Sequence, residues 1–370
     1  MRTAAAQPLF QSSRHWATPA PKRRSQRLRR SHGLTLVELL VSITLGLVIL
    51  TALLALFGNV TRSNNEMAKT NQLIENGRFA MQLLQDDVAH AGFWGPVRMI
   101  NATAVPNPCL AYASWPTDAA ELDAYKKNLL AIPVHGYADG SALSACGPGL
   151  ANVVAQSDVL IVRHASTCVK GPGCDTADTG PHIQVSGCRT DAPPEPAHVL
   201  ETPAEMDART PRIRLKNCAT EAARRKMVIN AYYVANSATG IPTLMRVRMA
   251  NGTFLAAEPL VDGIQAFKVE FGVDDKGSNG LPISSTNPGD GNADTYVSCA
   301  PSCDLAVLAN VVSVKLHLLV RNLEPTAGHT DDKAYQVGPL AVAAANDNIK
   351  RHVFTTTVRM VNPSSRREIP

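Results

Sequence analysis

Leu34-Thr-Leu-Val-Glu38-Leu-Leu-Val-Ser-Ile-Thr-Leu-Gly46-Leu-Val-Ile-Leu-Thr-Ala-Leu-Leu-Ala-Leu-Phe57 is the stretch that decides the fold. It holds one charge, one glycine and no proline in 24 residues. At about 1.5 Å rise per residue, a helix of this length crosses the roughly 30 Å hydrocarbon core of a bilayer. Residues 1–33 in front of it carry eight basic side chains (Arg2, Arg14, Lys22, Arg23, Arg24, Arg27, Arg29, Arg30) and no acid. The positive-inside rule predicts a single span with this tail in the cytoplasm and everything after about residue 60 exported.

The charge balance supports this topology and argues against polyanion binding. Of 36 Lys and Arg, 28 remain beyond residue 33 against 31 Asp and Glu, a net of −3. The basic excess lies entirely in the tail, whereas a nucleic-acid-binding domain carries its basic patch on the folded part. At 45% hydrophobic residues, with 24 Gly and 25 Pro, the 370-residue chain is neither disordered nor collagen-like and is long enough for a real core. The apolar run exceeds the 7–15 residues of a secretory signal, and no small-x-small cleavage site follows it. A plain bitopic anchor is the simple alternative, but Glu38 strains it. A carboxylate within a span costs on the order of 2–3 kcal/mol near its centre, less at its end, and needs a partner. No Lys or Arg lies in the run; a free α-amino group of a neighbouring subunit, released by a cut before Leu34, is one candidate.

Behind Phe57 the helical pattern continues. Met67, Ile74, Met81 and Val88 recur every seven residues, joined by Leu84 and Ala91, and predict one apolar stripe on an amphipathic helix over 58–92. Gly77 costs this helix about 1 kcal/mol relative to Ala. Gly92, followed by Phe93-Trp94-Gly95-Pro96, marks its stop.

Two blocks carry a resemblance. Gly33-Leu34-Thr-Leu-Val-Glu38-Leu-Leu-Val resembles the class III signal of type IV prepilins and type II secretion pseudopilins. Asn76-Gly77-Arg78-Phe79-Ala80-Met81-Gln82-Leu83-Leu84-Gln85-Asp86-Asp87-Val88-Ala89-His90-Ala91-Gly92-Phe93 resembles the matching stretch of PilW-family minor pilins. Residues 157–163, 260–272 and 353–362 are thinner matches. The resemblance implies cleavage between Gly33 and Leu34 by a membrane prepilin peptidase and N-methylation of Leu34. It implies that Glu38, fifth in the mature chain, pairs with the N-terminus of an adjacent subunit. Leu34 stands where phenylalanine is usual. Initiation at codon 28 would leave a six-residue leader, and residues 1–27 are read as an annotation artefact.

The implied fold class is α+β: a long N-terminal helix, transmembrane then amphipathic, packed on a β-rich pilin-like domain. The expected divisions are a cleaved leader (1–33), a membrane and filament-core helix (34–57), its amphipathic continuation (58–92) and a periplasmic domain (93–370). The implied role is a minor pilin of a Gram-negative bacterium that helps initiate type IV pilus assembly and sits in a tip complex. That role serves twitching motility, adhesion or DNA uptake. Expected partners are other minor pilins and the major pilin through the helix, prepilin peptidase, a large tip adhesin and the inner membrane, with no nucleic acid indicated. The alternatives are a J-like minor pseudopilin of type II secretion, and a bitopic membrane-anchored periplasmic enzyme or adhesin.

Strands are predicted at 159–162, 228–234, 245–249, 267–271, 311–320 and 352–361, with a hairpin turning near 236–241. Alternation in Val312-Ser-Val-Lys-Leu-His-Leu predicts one buried and one wet face. Long connections are expected at 96–152, 165–226 and 273–306.

Eight cysteines all follow the membrane segment, and an even count in an exported chain favours disulfides. Four bridges allow 105 connectivities; the reading adopted is Cys109–Cys146, Cys168–Cys174, Cys188–Cys218 and Cys299–Cys303, each pinning a long loop. A zinc site from Cys168, Cys174, His182 and Cys188 lacks the paired C-x₂₋₄-C spacing. Asp290, Asn292 and Asp294 suggest a calcium loop, but Pro301 stands where an EF-hand needs a carboxylate; a looser set with Asp274 or Asp275 is the weak remaining candidate. No nucleophile elbow, P-loop, HExxH, CxxC or GxGxxG occurs, so neither catalysis nor a cofactor is expected. His164 and His317 fall in strands and read as fillers rather than bases.

Overall fold

The computed structural model describes residues 33, 35–97, 100–138, 150, 152–188, 198–237 and 239–368. By compactness the chain divides into two units, Met1–Thr61 and Arg62–Pro370. One helix, α1 (Leu36–His90), enters both. The expected fold class, a long N-terminal helix followed by a β-rich domain, is the one observed.

In the first unit every described residue of α1 is exposed. In the second, α1 buries a narrow stripe of Leu73, Gly77, Ala80, Met81, Leu84 and Val88. The lower half of the predicted stripe holds. The upper half is displaced: Met67 is 59% exposed and Ile74 36%, while Leu73 and Gly77 face inward. At Gly77 the Phe354 ring lies directly on the helix, where a Cβ would collide with its edge. The helix stops where glycine permits it. Gly92 takes φ +71°, and its N–H donates to the Arg163 carbonyl at 2.9 Å.

The chain continues through α2 (Ala119–Ala131), β1 (Val134–Tyr137), β2 (Val159–Ala165), β3 (His182–Val185), β4 (His198–Glu201) and α3 (Pro203–Ala208). Next come β5 (Arg225–Asn236), β6 (Pro242–Ala250), β7 (Thr253–Phe254), β8 (Glu258–Asp262), β9 (Ile264–Val273) and β10 (Thr295–Val297). It closes with α4 (Leu305–Leu308), β11 (Val311–Arg321), β12 (Tyr335–Val337), β13 (Leu340–Val342), β14 (Arg351–Arg359) and α5 (Val361–Glu368). β5 is the axis of an eight-stranded sheet, paired with β2 and β6 along most of its length and with β3 at its start. A second sheet has the order β10-β9-β11-β14, and β12–β13 form a separate hairpin.

One face of each sheet packs on α1. Leu160, Val162, Tyr232, Val234 and Leu244 from the first join Phe267, Val269, Val314, Leu316 and Leu318 from the second around Leu84 and Val88. The opposite face of the large sheet holds a second core with Trp94, Trp115 and, from α2, Leu129 and Leu130. The sheets are stitched by Ser157 and Asp158, just before β2. Ser157 Oγ accepts from Phe267 N–H at 3.0 Å, Asp158 Oδ2 from Val269 N–H at 2.9 Å, and Asp158 Oδ1 from Lys268 Nζ at 2.7 Å.

Two expectations need correction. The wet face of β11 is covered: Ser313 and His317 are each 6% exposed. Tyr296 hydrogen-bonds Ser313, Lys315 lies 3.9 Å from the Tyr296 ring centroid, and Gly338 of the β12–β13 hairpin fits against the His317 ring. The final strand stops at Arg359, because Val361-Asn362-Pro363 opens α5, where proline's missing N–H costs nothing in a first turn. The three long connections hold short elements. Among them, α2 is capped by Asp118, which accepts from Ala120 and Glu121 N–H at 3.0 Å each.

Candidate functional site: the start of α1 and its attachments

Thr35 opens α1. Its hydroxyl accepts from Glu38 N–H at 3.2 Å, and the Glu38 carboxylate lies 3.4 Å from both the N–H and the hydroxyl of Thr35. This is the reciprocal S/T-x-x-E box, written in Thr35-Leu-Val-Glu38, and the reading of the sequence missed it although the spacing was visible. Glu38 therefore serves the helix start. Gly33 is exposed, with open space where a side chain would be. Leu34, the expected first residue of a processed chain, lies outside the described residues.

Beyond the cap the helix hides its own polar groups. Ser42, Thr44 and Thr51 turn their hydroxyls onto the carbonyls of Glu38, Val41 and Val48 at 2.7–2.9 Å. What is left is an apolar rod, with Leu36 75% and Phe57 71% exposed and a window of mean hydropathy 2.7. It is long and apolar enough to cross a membrane.

In the second unit, α1 is attached by polar contacts at both ends of its buried stripe. Near the lower end, Asp87 receives His164 Nε2 at 2.9 Å and Asn230 Nδ2 at 3.1 Å, and Gln85 donates to Thr356 at 2.7 Å. Burial pushes the His164 imidazole down, but the hydrogen bond and charge of Asp87, with the Ala165 carbonyl, hold it above its ordinary value. Higher up, Arg62 and Lys69 donate to the carbonyls of Ala327 (2.7 Å) and Pro325 (2.8 Å). Glu66 pairs with Lys350 at 3.3 Å. The Thr326 hydroxyl and then these lysines outweigh desolvation and hold the Glu66 carboxyl below its ordinary value.

His317 bridges Glu270 (2.8 Å) and Thr355 (3.0 Å) across the second sheet. His135 is buried and pushed down to about 3 by desolvation, then by the Arg163 charge. Arg163 is itself fully buried, with Nη2 on the Ile132 carbonyl and its pKa lowered to about 10 by burial.

The cysteines join Cys168 to Cys174, Cys188 to Cys218 and Cys299 to Cys303. Cys109 is disulfide-bonded, and Cys146 lies outside the described residues. The weak calcium set points elsewhere. Asp294 accepts from Asp275 and Lys276 N–H at 3.0 and 2.8 Å, Asp290 from Asn292 N–H, and Asp274 from Gly291 N–H. These carboxylates fold the loop on itself. Among the described residues no group of three or more His, Cys, Asp or Glu is placed to hold a metal.

The described chain is thus a capped apolar helix, long and apolar enough to cross a membrane, that continues onto a disulfide-bonded β-rich domain. Residues 28–54 match the prokaryotic N-terminal methylation motif, and residues 231–362 match the model of type IV pilus-assembly protein W. In these two segments the chain matches a PilW-family type IV pilin, the family its sequence resembles. The matches support a type IV pilus minor pilin and membrane anchoring. A solved type IV-like pilin from Thermus thermophilus aligns with 57% of this chain and 81% of its own, at 14% identity and a TM-score of 0.28. No curated protein sequence matches the chain.

Proposed function

We propose that this chain helps initiate type IV pilus assembly and takes its place in a complex at the pilus tip. It is cut between Gly33 and Leu34, methylated on the Leu34 amine, and held as a single span in the inner membrane, with the cysteine-rich domain in the periplasm. The divisions 1–33, 34–57, 58–92 and 93–370 serve processing, membrane and filament packing, attachment of the domain, and contacts at the tip. In assembly the Glu38 carboxylate leaves Thr35 and takes the amine of a neighbouring minor or major pilin. A large tip adhesin is the further partner, and motility, adhesion or DNA uptake is the outcome. Family membership suggests a structural rather than catalytic protein.

The observation that carries this reading is the one carboxylate at the start of the apolar, fully exposed part of α1 (36–61), inside the segment that matches the methylation motif. Thr35 holds it at long range only, 3.4 Å, a contact readily exchanged for a charge-assisted bond. In a chromosomal Glu38→Ala strain, membrane insertion is expected to persist while surface piliation falls about tenfold or more, in line with loss of a buried ion pair. Wild-type piliation in that strain would sink the proposal.

A further inference from the structure

α5 walls a cleft that the helix-based reading leaves unused. The cleft has a volume of about 690 Å³, well within the range of sites that enclose small molecules or a few peptide residues. Ile100, Ala131, Ile283 and Pro288 form its apolar sides, and Asn101 and Ser285 add an amide and a hydroxyl. Arg366 and Arg367 of α5 line it as well.

The two arginines are in different situations. Arg367 is fully engaged: it donates to Asp274 Oδ2 at 3.4 Å, the Ala309 carbonyl at 2.8 Å and Asn310 Oδ1 at 2.6 Å. Arg366 makes one bond, from Nη2 to the Gly92 carbonyl at 2.6 Å, and no ion pair among the described residues. The nearest acid on the same helix, Glu368, is taken by Arg359. Arg366 is nevertheless half-buried, and desolvation lowers its pKa. A guanidinium anchored through one Nη2 hydrogen keeps its second Nη2–H beside a neighbouring N–H, so one donor pair in fork geometry remains to grip a carboxylate with two parallel bonds. Holding an unpaired charge in a partly desolvated cleft is costly unless an anion completes it.

We propose that this cleft binds an acidic peptide segment of a partner protein, a carboxylate side chain or chain end resting on Arg366 and an adjacent apolar side chain lying between Ile100 and Ile283. A lone inorganic anion would satisfy Arg366 but leave most of the volume and all of the apolar wall unused. Gly92 connects the site to α1, since the carbonyl that positions Arg366 belongs to the residue that stops the helix.

The test uses the full chain in detergent micelles and fluorescence anisotropy of a labelled tetrapeptide ending in Leu-Glu with free carboxylates. The same peptide ending in Leu-Gln-amide, and inorganic phosphate as a competitor, provide the other arms. The acidic peptide is expected to bind at least about tenfold more tightly than the amide, and Arg366→Gln to weaken it about tenfold, as for loss of a hydrogen bond to a charged group. Arg366→Lys should recover part of the loss. Ala131→Trp, which fills the cleft while leaving the Arg366–Gly92 bond, should block binding with an unchanged circular dichroism spectrum. No binding of the acidic peptide, equal affinity for both peptides, insensitivity to Arg366→Gln and Ala131→Trp, or displacement by phosphate at the peptide's own concentration would each overturn the proposal.

Discussion

The helix α1 is two materials in one element. From Leu36 to Thr61 it is predominantly apolar and every side chain is exposed; from Arg62 to His90 it is mostly polar outside and buries a stripe of six residues between Leu73 and Val88. The upper part is stabilised by its own backbone and cap and is unfinished in water. The lower part owes its stability to the sheets, in keeping with the rule that tertiary packing dominates helix stability in domains. Exposure of Leu50 at 51% and of Leu84 at 0% expresses the same difference at two leucines of one helix.

Substitution at those leucines breaks or sharpens the contrast most strongly. Leu84→Ala opens a cavity among Val162, Tyr232 and Leu316 and should cost the domain about 2–5 kcal/mol. Leu50→Ala should leave domain unfolding unchanged, as followed by near-ultraviolet circular dichroism of Trp94 and Trp115. Equal losses at both positions would show that the upper part is packed on something within its own chain.

The glycines come next. Gly77→Ala gains about 1 kcal/mol of helix propensity but drives a Cβ into the Phe354 ring, and overpacking of this kind costs about 1–3 kcal/mol. A net loss is expected, relieved in the double variant with Phe354→Leu. Gly46→Ala meets nothing within 4 Å and should be neutral or stabilising. Thermal unfolding of the four proteins decides it.

A smaller effect appears in pH. His164 has a folded pKa above its ordinary 6.5, so its contribution is complete below that value and fades as pH rises through the folded one. His135 acts oppositely: with a folded value of about 3, it favours the folded chain above 6.5 and withdraws that support as pH falls. His164→Gln should therefore flatten the loss of stability that sets in as pH rises above about 6.5 and leave the acid limb in place. A wild-type alkaline limb in His164→Gln would contradict the Asp87 pairing. The smallest effect belongs to the polar attachments of Arg62, Glu66 and Lys69. Lys69→Ala should lower the melting temperature slightly at low salt and not at all at about 1 M, where the Debye length is near 3 Å.

How much of this was legible depends on how local the signal is. The anchor is written in an apolar run of 24 residues, the stop in Gly92 with Pro96 behind it, and the long strands in β-branched runs, all of which a short window of sequence reports. The capping box at Thr35 was equally local and was overlooked because Glu38 was weighed only as a charge. Elements such as β1 and β3 are four residues long and form because β2 and β5 are there to pair with, which no window of sequence reports. The wet face of β11 failed for the same reason: Ser313, Lys315 and His317 alternate as a surface strand should, and only the distant Tyr296 and Gly338 cover them. In the candidate site the motif residues were readable, whereas the partners of Asp87, and the Gly92 carbonyl that anchors Arg366, lie more than fifty residues away.

N-terminal sequencing with intact mass, on protein extracted from membranes of cells with active prepilin peptidase, tests the central claim most directly. The account predicts a chain that begins with N-methylated Leu34, lacks Met1–Gly33 and gains the mass of eight hydrogen atoms when a reductant opens four disulfides among its eight cysteines. A mature protein that keeps its leader and an unmodified amine would contradict it, leaving α1 a plain anchor and Glu38 no more than a helix cap.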